Sequence, residues 1–236
     1  LASPFRSLSF GGATYFILVR DEASGHIEGE PLKDKSAEEV VEAFKKIFFR
    51  MKAEFETSQP EVSTSVTLPS DNGSEFINET FELFLISQGM THRYSTPYTP
   101  QQNGLAERSM HTVKEKVTSL LAEANLGRRY WAEAFYFAIF LLQNLPYSPN
   151  GGETPYHYLH GTTNPFFTDP HCPIFGQEIW VHEREAHTLE DKARRARFLG
   201  VGKGRGVKAF RVQDEESVGT AAGFSWSRDI VHSPGD

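Results

Sequence analysis

The chain has 236 residues, 39% of them hydrophobic and 23% charged, a globular balance that excludes a disordered or fibrous chain. A formal net charge of −7 excludes a protein that coats nucleic acid by bulk charge. The single cysteine, Cys172, excludes internal disulfides and a cysteine-built zinc site, and it points to a reducing compartment.

In chain order, Thr14 to Val19 is a β-rich apolar run that predicts a buried strand. Gly25 to Pro31 predicts a second strand, a polar one because of Glu28 and Glu30. Ser36 and Glu39 have capping-box spacing. Val40, Val41, Phe44, Ile47, Phe48, Met51 and Phe55 then recur at the helical period and predict an amphipathic helix. Val62 to Leu68 alternates apolar and polar residues up to Pro69 and reads as a strand. Asn78 caps a helix through Phe81, Phe84 and Leu85 that Gly89 stops. Thr91 to Tyr94 reads as a short strand, and Ser95 to Gly104 as a loop. Ala106, Met110, Val113, Val117, Leu120, Leu121 and Ala124 form the apolar stripe of a long helix. The next helix, Arg129 to Asn144, is apolar nearly all round and therefore buried. Its apolar run, Trp131 to Leu142, is well short of the roughly 20 residues of a membrane span. No basic segment followed by an apolar core marks a secretory signal.

After Pro146 the texture changes to a Pro- and Gly-rich stretch, a long surface connection. Beyond it, short apolar runs at Ile179 to Val181, Arg197 to Val201, Val207 to Val212 and Phe224 to Val231 fit a small antiparallel barrel. Charge alternates as well: the net is −5 over 21–61, +3 over 92–130 and +5 over 183–211, which permits a basic face on an acidic protein.

Two stretches carry chemistry. Ser70-Asp71-Asn72-Gly73-Ser74-Glu75-Phe76 follows a predicted strand, and Pro97-Tyr98-Thr99-Pro100-Gln101-Gln102-Asn103-Gly104-Leu105-Ala106-Glu107 runs into the long helix, with 35 residues between Asp71 and Glu107. Read alone, the first is a tight turn and Glu107 a favourable first-turn acid. Together they resemble the catalytic core of retroviral and copia-type retrotransposon integrases. Those enzymes place an Asp, a second Asp and a more distant Glu on a ribonuclease-H-like fold. Asp71 matches the second Asp and Glu107 the Glu. Thr154-Pro155-Tyr156, Phe175-Gly176 and Phe198-Leu199-Gly200-Val201 resemble the region that follows this core in copia-type polyproteins, which ends in a Src-homology-like barrel.

The resemblance implies an α/β fold: a ribonuclease-H-like mixed sheet flanked by helices, plus a small antiparallel β-barrel. It divides the chain into an integrase core (1–146), a linker (147–170) and the barrel (171–233). It implies two-metal DNA 3′-end processing and strand transfer with Mg²⁺ or Mn²⁺, because hard cations take converging carboxylates. Asp71 and Glu107 would be the catalytic and metal-binding residues. Asn103, Glu107, His111 and Lys114 share one polar stripe of the helix, so His111 and Lys114 would meet DNA, with Tyr98, Gln101 and Asn103 before or at its start. In the barrel, Lys192, Arg194, Arg195, Arg197, Lys203 and Arg205 would contact phosphates. The implied partners are double-stranded DNA (element ends and target) and further copies of the chain. No membrane and no small-molecule cofactor are expected, and the implied place is the nucleus.

The first Asp of the resemblance is not in the chain. Leu1-Ala2-Ser3-Pro4 looks like the remainder of its Asp-x-x-Gly-Pro pattern, which puts that Asp directly before Leu1. Asp21 follows a strand, yet Asp21-Glu22-Ala23-Ser24 resembles the family's second-strand stretch, where an acid often occurs without binding metal, so Asp21 is not expected to be catalytic. Two other readings compete. One is an inactive descendant that serves as a DNA-binding or protein-docking module. The other is a ribonuclease H, disfavoured by the Gln/Asn loop and the spacing.

Overall fold

The computed structural model describes residues 5, 7–58, 66–70, 73, 76–94, 100–170, 172–182, 193–202, 209–213 and 218–221. Strands β1 (Tyr15–Arg20) and β2 (Ile27–Leu32) form an antiparallel hairpin, with Tyr15 opposite Leu32 and Arg20 opposite Ile27. Its turn is closed by Asp21, whose carboxylate accepts from the Ser24 amide (2.7 Å) and hydroxyl (2.6 Å). Asp21 is thereby a turn-forming side chain.

The apolar run of β1 is explained by its two faces. Phe16 and Leu18 pack into one hydrophobic cluster, and Tyr15, Ile17 and Val19 into another. Successive side chains point to opposite faces of a strand, so a strand covered on both sides must be apolar throughout. Helix α1 (Ala37–Ser58) covers one face, burying Val40, Val41, Phe44 and Ile47. Its expected capping box is remodelled. Ser36 Oγ accepts from the Glu39 amide at 3.4 Å, but Glu39 turns to the Lys33 amide (2.8 Å) and Asp34 takes the Ser36 amide (2.7 Å).

Strand β3 (Thr67–Ser70) pairs in parallel with β4 (Thr91–Tyr94). It contains Pro69, which the sequence places just past the strand's end; most of the expected Val62 to Leu68 strand lies outside the described residues. Between β3 and β4 runs α2 (Glu79–Ser87), capped by Asn78 Oδ1 on the Phe81 amide (2.8 Å) and followed by Gly89 at φ +68°. A positive φ is cheap only for glycine, so the helix stops there. Phe81 and Leu85 of α2 join Phe44 and Ile47 of α1 in one cluster. Among the described residues β1–β2 and β3–β4 are two hydrogen-bonded pairs, one antiparallel and one parallel.

Helix α3 (Pro100–Glu123) starts inside the expected loop. Proline at a first helical position sacrifices no bonded N–H, which favours that start. α3 packs on α4 (Trp131–Gln143), entered by a short 3₁₀ turn at Arg128–Tyr130. The nearly uniform apolar character of α4 follows from its neighbours, since it also touches β2 and the later strand β6 (Ala193–Gly202). Short helices α5 (Pro155–His160) and α6 (Pro165–Thr168) lie in the Pro/Gly-rich stretch, and Phe166 of α6 enters the α4 cluster.

Strands β5 (Glu178–His182), β6, β7 (Ala209–Gln213) and β8 (Val218–Ala221) form an antiparallel sheet in that order. The described residues contain this open run of strands; the expected strand from Phe224 to Val231 lies outside them. β8 was not expected, because Gly219 and the preceding acidic residues break its apolar pattern. No described helix is long and apolar enough to cross a membrane.

Candidate active site

The site is assembled from the end of β3 and from α3. Ser70, last in β3 and opposite Tyr94, is the residue before Asp71. Its hydroxyl lies 2.8 Å from His92 Nε2, and His92 Nδ1 lies 2.5 Å from Glu82 Oε1 on α2. A carboxylate only accepts, so Nδ1 donates to Glu82, and in the neutral ring Nε2 accepts from Ser70. Tyr94 also donates its hydroxyl to Glu82. That hydrogen bond, then the one from His92, holds the Glu82 carboxyl below its ordinary value, and the Tyr94 phenol is pushed up to about 12 by its bond to Glu82. Beyond Asp71, the Phe76 amide donates to the Gly73 carbonyl at 3.0 Å and the Phe76 ring is buried against Phe81. The described residues on either side of Asp71 in the sequence are thus anchored. Asp71 itself lies outside the described residues, as does Tyr98.

Glu107 sits on α3 with an exposed side chain, and no ion pair or hydrogen bond of its carboxylate is found among the described residues. An exposed carboxylate with its oxygens uncommitted is the hard donor that a divalent cation takes, so Glu107 fits the metal the resemblance implies. Two residues on, buried Ser109 accepts from Arg20 Nη1 at 3.0 Å and donates to the Leu105 carbonyl at 2.8 Å. The Arg20 guanidinium lies 4.3 Å over the Tyr147 ring, and burial first lowers its pKa. This contact pins α3 to the end of β1 and fixes the height of Glu107 along the helix.

The polar stripe is present where described. His111 is exposed with Nδ1 3.2 Å from Glu115 Oε2, and Lys114 is half-buried. Opposite them Val113 and Val117 are fully buried. Gln101 and Asn103 lie in the first turn of α3 rather than in a loop. Ala106, expected in the apolar stripe, is exposed, because the packing of α3 begins nearer Ser109. Arg197 donates through Nη1 to the Ala124 carbonyl just past α3 at 3.3 Å, where a cation complements the negative end of the helix dipole.

Sequence reasoning missed the Ser70–His92–Glu82–Tyr94 network and the Arg20–Ser109 contact. Neither has a periodic signature, since each joins residues brought together only by the fold. It also missed the burial of β2: Glu28 is only 4% exposed and Arg50 of α1 bonds both Glu28 and Glu30. The one available signal was a pair of acids in a strand-length segment.

Comparison with known proteins agrees with this architecture. Residues 4–100 match the integrase core domain family. The chain is 34% identical over 204 residues (86% of its length) to the retrovirus-related Pol polyprotein from transposon TNT 1-94 of Nicotiana tabacum, and spans 14% of that polyprotein. It is 32% identical over 195 residues (82% of its length) to the Pol polyprotein from transposon RE1 of Arabidopsis thaliana, spanning 12% of it. In three dimensions it is similar, at TM-score 0.51 and 16% identity, to a chain of the simian T-cell lymphotropic virus intasome in complex with PP2A regulatory subunit B56 gamma, covering 92% of this chain and 73% of that one. The structural likeness shows the ribonuclease-H-like α/β fold. The chain belongs to the integrase core domain family, with the Pol polyproteins of plant retrotransposons among its relatives.

Proposed function

We propose that the chain is the catalytic segment of a retrotransposon integrase that processes the 3′ ends of element DNA and joins them to target DNA. In end processing a water oxygen attacks a phosphodiester near the element's end and the 3′ oxygen leaves. In strand transfer the freed 3′-hydroxyl attacks a target phosphodiester, its proton is lost, and the target's 3′ oxygen leaves. Asp71 and Glu107 would hold Mg²⁺ or Mn²⁺, which when bound polarises the attacking oxygen and stabilises the leaving one. Lys114 would offer a phosphate contact and His111 a nucleotide contact, with Tyr98, Gln101 and Asn103, which precede Glu107 in the sequence, as further DNA contacts. Such contacts would orient a DNA end along α3.

The observation that carries the reading is Glu107: an exposed carboxylate on α3 with no ion pair or hydrogen bond among the described residues, separated by 35 residues from the Asp that follows β3 in the sequence. The substrate is double-stranded DNA, so the working form would be an oligomer that gathers two ends, acting in the nucleus. Residues 1–146 would supply the chemistry, 147–170 the connection, and 171–233 a Src-homology-like barrel.

The test is strand transfer of a labelled element-end duplex by the chain supplied with the upstream strand that would carry the first Asp. Asp71→Asn and Glu107→Gln keep size and remove the metal-holding charge, so each should lower the rate by orders of magnitude while circular dichroism stays unchanged. Near-normal transfer by either variant would show that other carboxylates do the work. DNA binding without any transfer would favour a docking module instead.

A further inference from the structure

Glu28, the buried acid of β2, meets His26 and, from the far half of α1, Glu54. His26, at the start of the hairpin's second strand, is 1% exposed, and its Nε2 lies 3.5 Å from Glu54 Oε2 and 4.0 Å from Glu28 Oε1. The donor atoms of these three residues all lie within 4.8 Å of one another, the single such group of metal-type donors among the described residues. Around a zinc ion with bonds of about 2.0–2.1 Å, neighbouring donors stand roughly 3–4 Å apart, so this cluster needs little contraction to close on one.

The second oxygen of each carboxylate is held from outside. Glu28 Oε2 accepts from Arg50 Nη2 at 3.1 Å, and Glu54 Oε1 lies 3.1 Å from His160 Nε2 of α5. His160 is itself placed by Ser58 Oγ, 3.2 Å from its Nδ1. Outer partners of this kind orient metal-binding carboxylates. The Gln143 amide nitrogen, which donates to the Ile27 carbonyl at 2.7 Å, stands 3.5 Å from His26 Nε2.

Charge points the same way. Among the described residues Arg50 bonds Glu28 and Glu30, while Glu54 meets the imidazoles of His26 and His160. A dication would place positive charge where the Glu28 and Glu54 carboxylates converge.

We propose that His26, Glu28 and Glu54 form a structural binding site for a divalent transition-metal cation of zinc-like preference, separate from the Asp71–Glu107 centre. One imidazole and two carboxylates make the mixed nitrogen and oxygen set that zinc accepts. Bound there, the ion staples the β1–β2 hairpin to α1 and, through His160, to α5.

The test uses the full chain carrying Asp71→Asn and Glu107→Gln, which removes the carboxylates of the other centre. Zinc is titrated in competition with a chromophoric indicator, and cobalt is followed by its visible absorption. One zinc per chain is expected, with the same affinity in this background as in the unsubstituted chain. Adding Glu54→Gln, on a side chain 30% exposed and so tolerant of change, should weaken binding at least tenfold and abolish the cobalt bands. His26→Gln should do the same; if it fails to fold, Glu54→Gln still reads the site. Absence of stoichiometric zinc, affinity unchanged by Glu54→Gln, or binding that vanishes with Asp71 and Glu107 alone would each overturn the proposal. So would stability that rises on acidification without any zinc binding, which would assign the charge balance to protonated His26 and His160.

Discussion

Ser70 is held by a hydrogen-bonded chain that ends on an exposed tyrosine, and the ionisation of that tyrosine reports on the whole chain. The Tyr94 phenol, ordinarily near 10.0, is pushed up to about 12 because its hydroxyl donates to Glu82. A raised folded-state value means that this contact stabilises fully below about pH 10 and that the contribution fades as pH climbs towards 12. Glu82 works in the opposite sense. Its value is held below the ordinary 4.5, so its contribution is full above that pH and is lost on acidification through the lowered value. The network is therefore strongest between these limits. Glu82→Gln should return the phenol towards 10 in an ultraviolet absorbance titration. A Tyr94 that still ionises near 12 would show that another group holds it.

Among the elements, β2 is the most tightly constrained. A Cβ on Gly29 would stand 2.6 Å from Phe135 Cζ of α4 and 2.8 Å from the Ile17 carbonyl oxygen of β1. The second is backbone and cannot swing away. Gly29→Ala should therefore cost about 1–3 kcal/mol in urea unfolding, as overpacking does, and a neutral result would show that the strand shifts freely. Much of this layer is legible in the sequence. The unbroken apolar run of β1 announces a strand covered on both faces, the stripe of α1 its buried side, and the all-round apolar α4 its central place. β2 misleads because Glu28 and Glu30 are bonded by Arg50, 22 and 20 positions away in the chain, and local pattern carries no record of that partner. The start of α3 misleads too, since Pro100 and the polar residues after it look like a loop until a proline is allowed to open a helix. Of the candidate site, Glu107 is suggested by the resemblance, and the polar stripe it shares follows from helical spacing. The contacts that set its height, Arg20 to Ser109 and His92 to Ser70, could not.

Across the whole molecule one buried cluster joins the core to the later sheet. Phe198 of β6 is fully buried, edge-on to Phe137 of α4 (ring centroids 5.6 Å) and stacked with Phe166 of α6 (6.0 Å). The Gly176 amide donates to the Phe198 carbonyl at 2.7 Å, so the backbone is fastened at the same point. Phe198→Ala should cost about 3–5 kcal/mol. The loss should extend to faster amide exchange in α4 as well as in β6; exchange raised in β6 alone would show that the sheet folds apart from the core. The proposed function assigns the chemistry to Asp71, which follows β3 in the sequence, and to Glu107 of α3. Iron(II)-directed backbone scission reads that claim most directly, because iron replaces magnesium at oxygen-donor sites and cuts the chain beside itself. Cuts clustered near residues 71 and 107, both lost in Asp71→Asn and both lost in Glu107→Gln, are the expected result; cuts elsewhere, or cuts that survive either substitution, would contradict a shared metal centre.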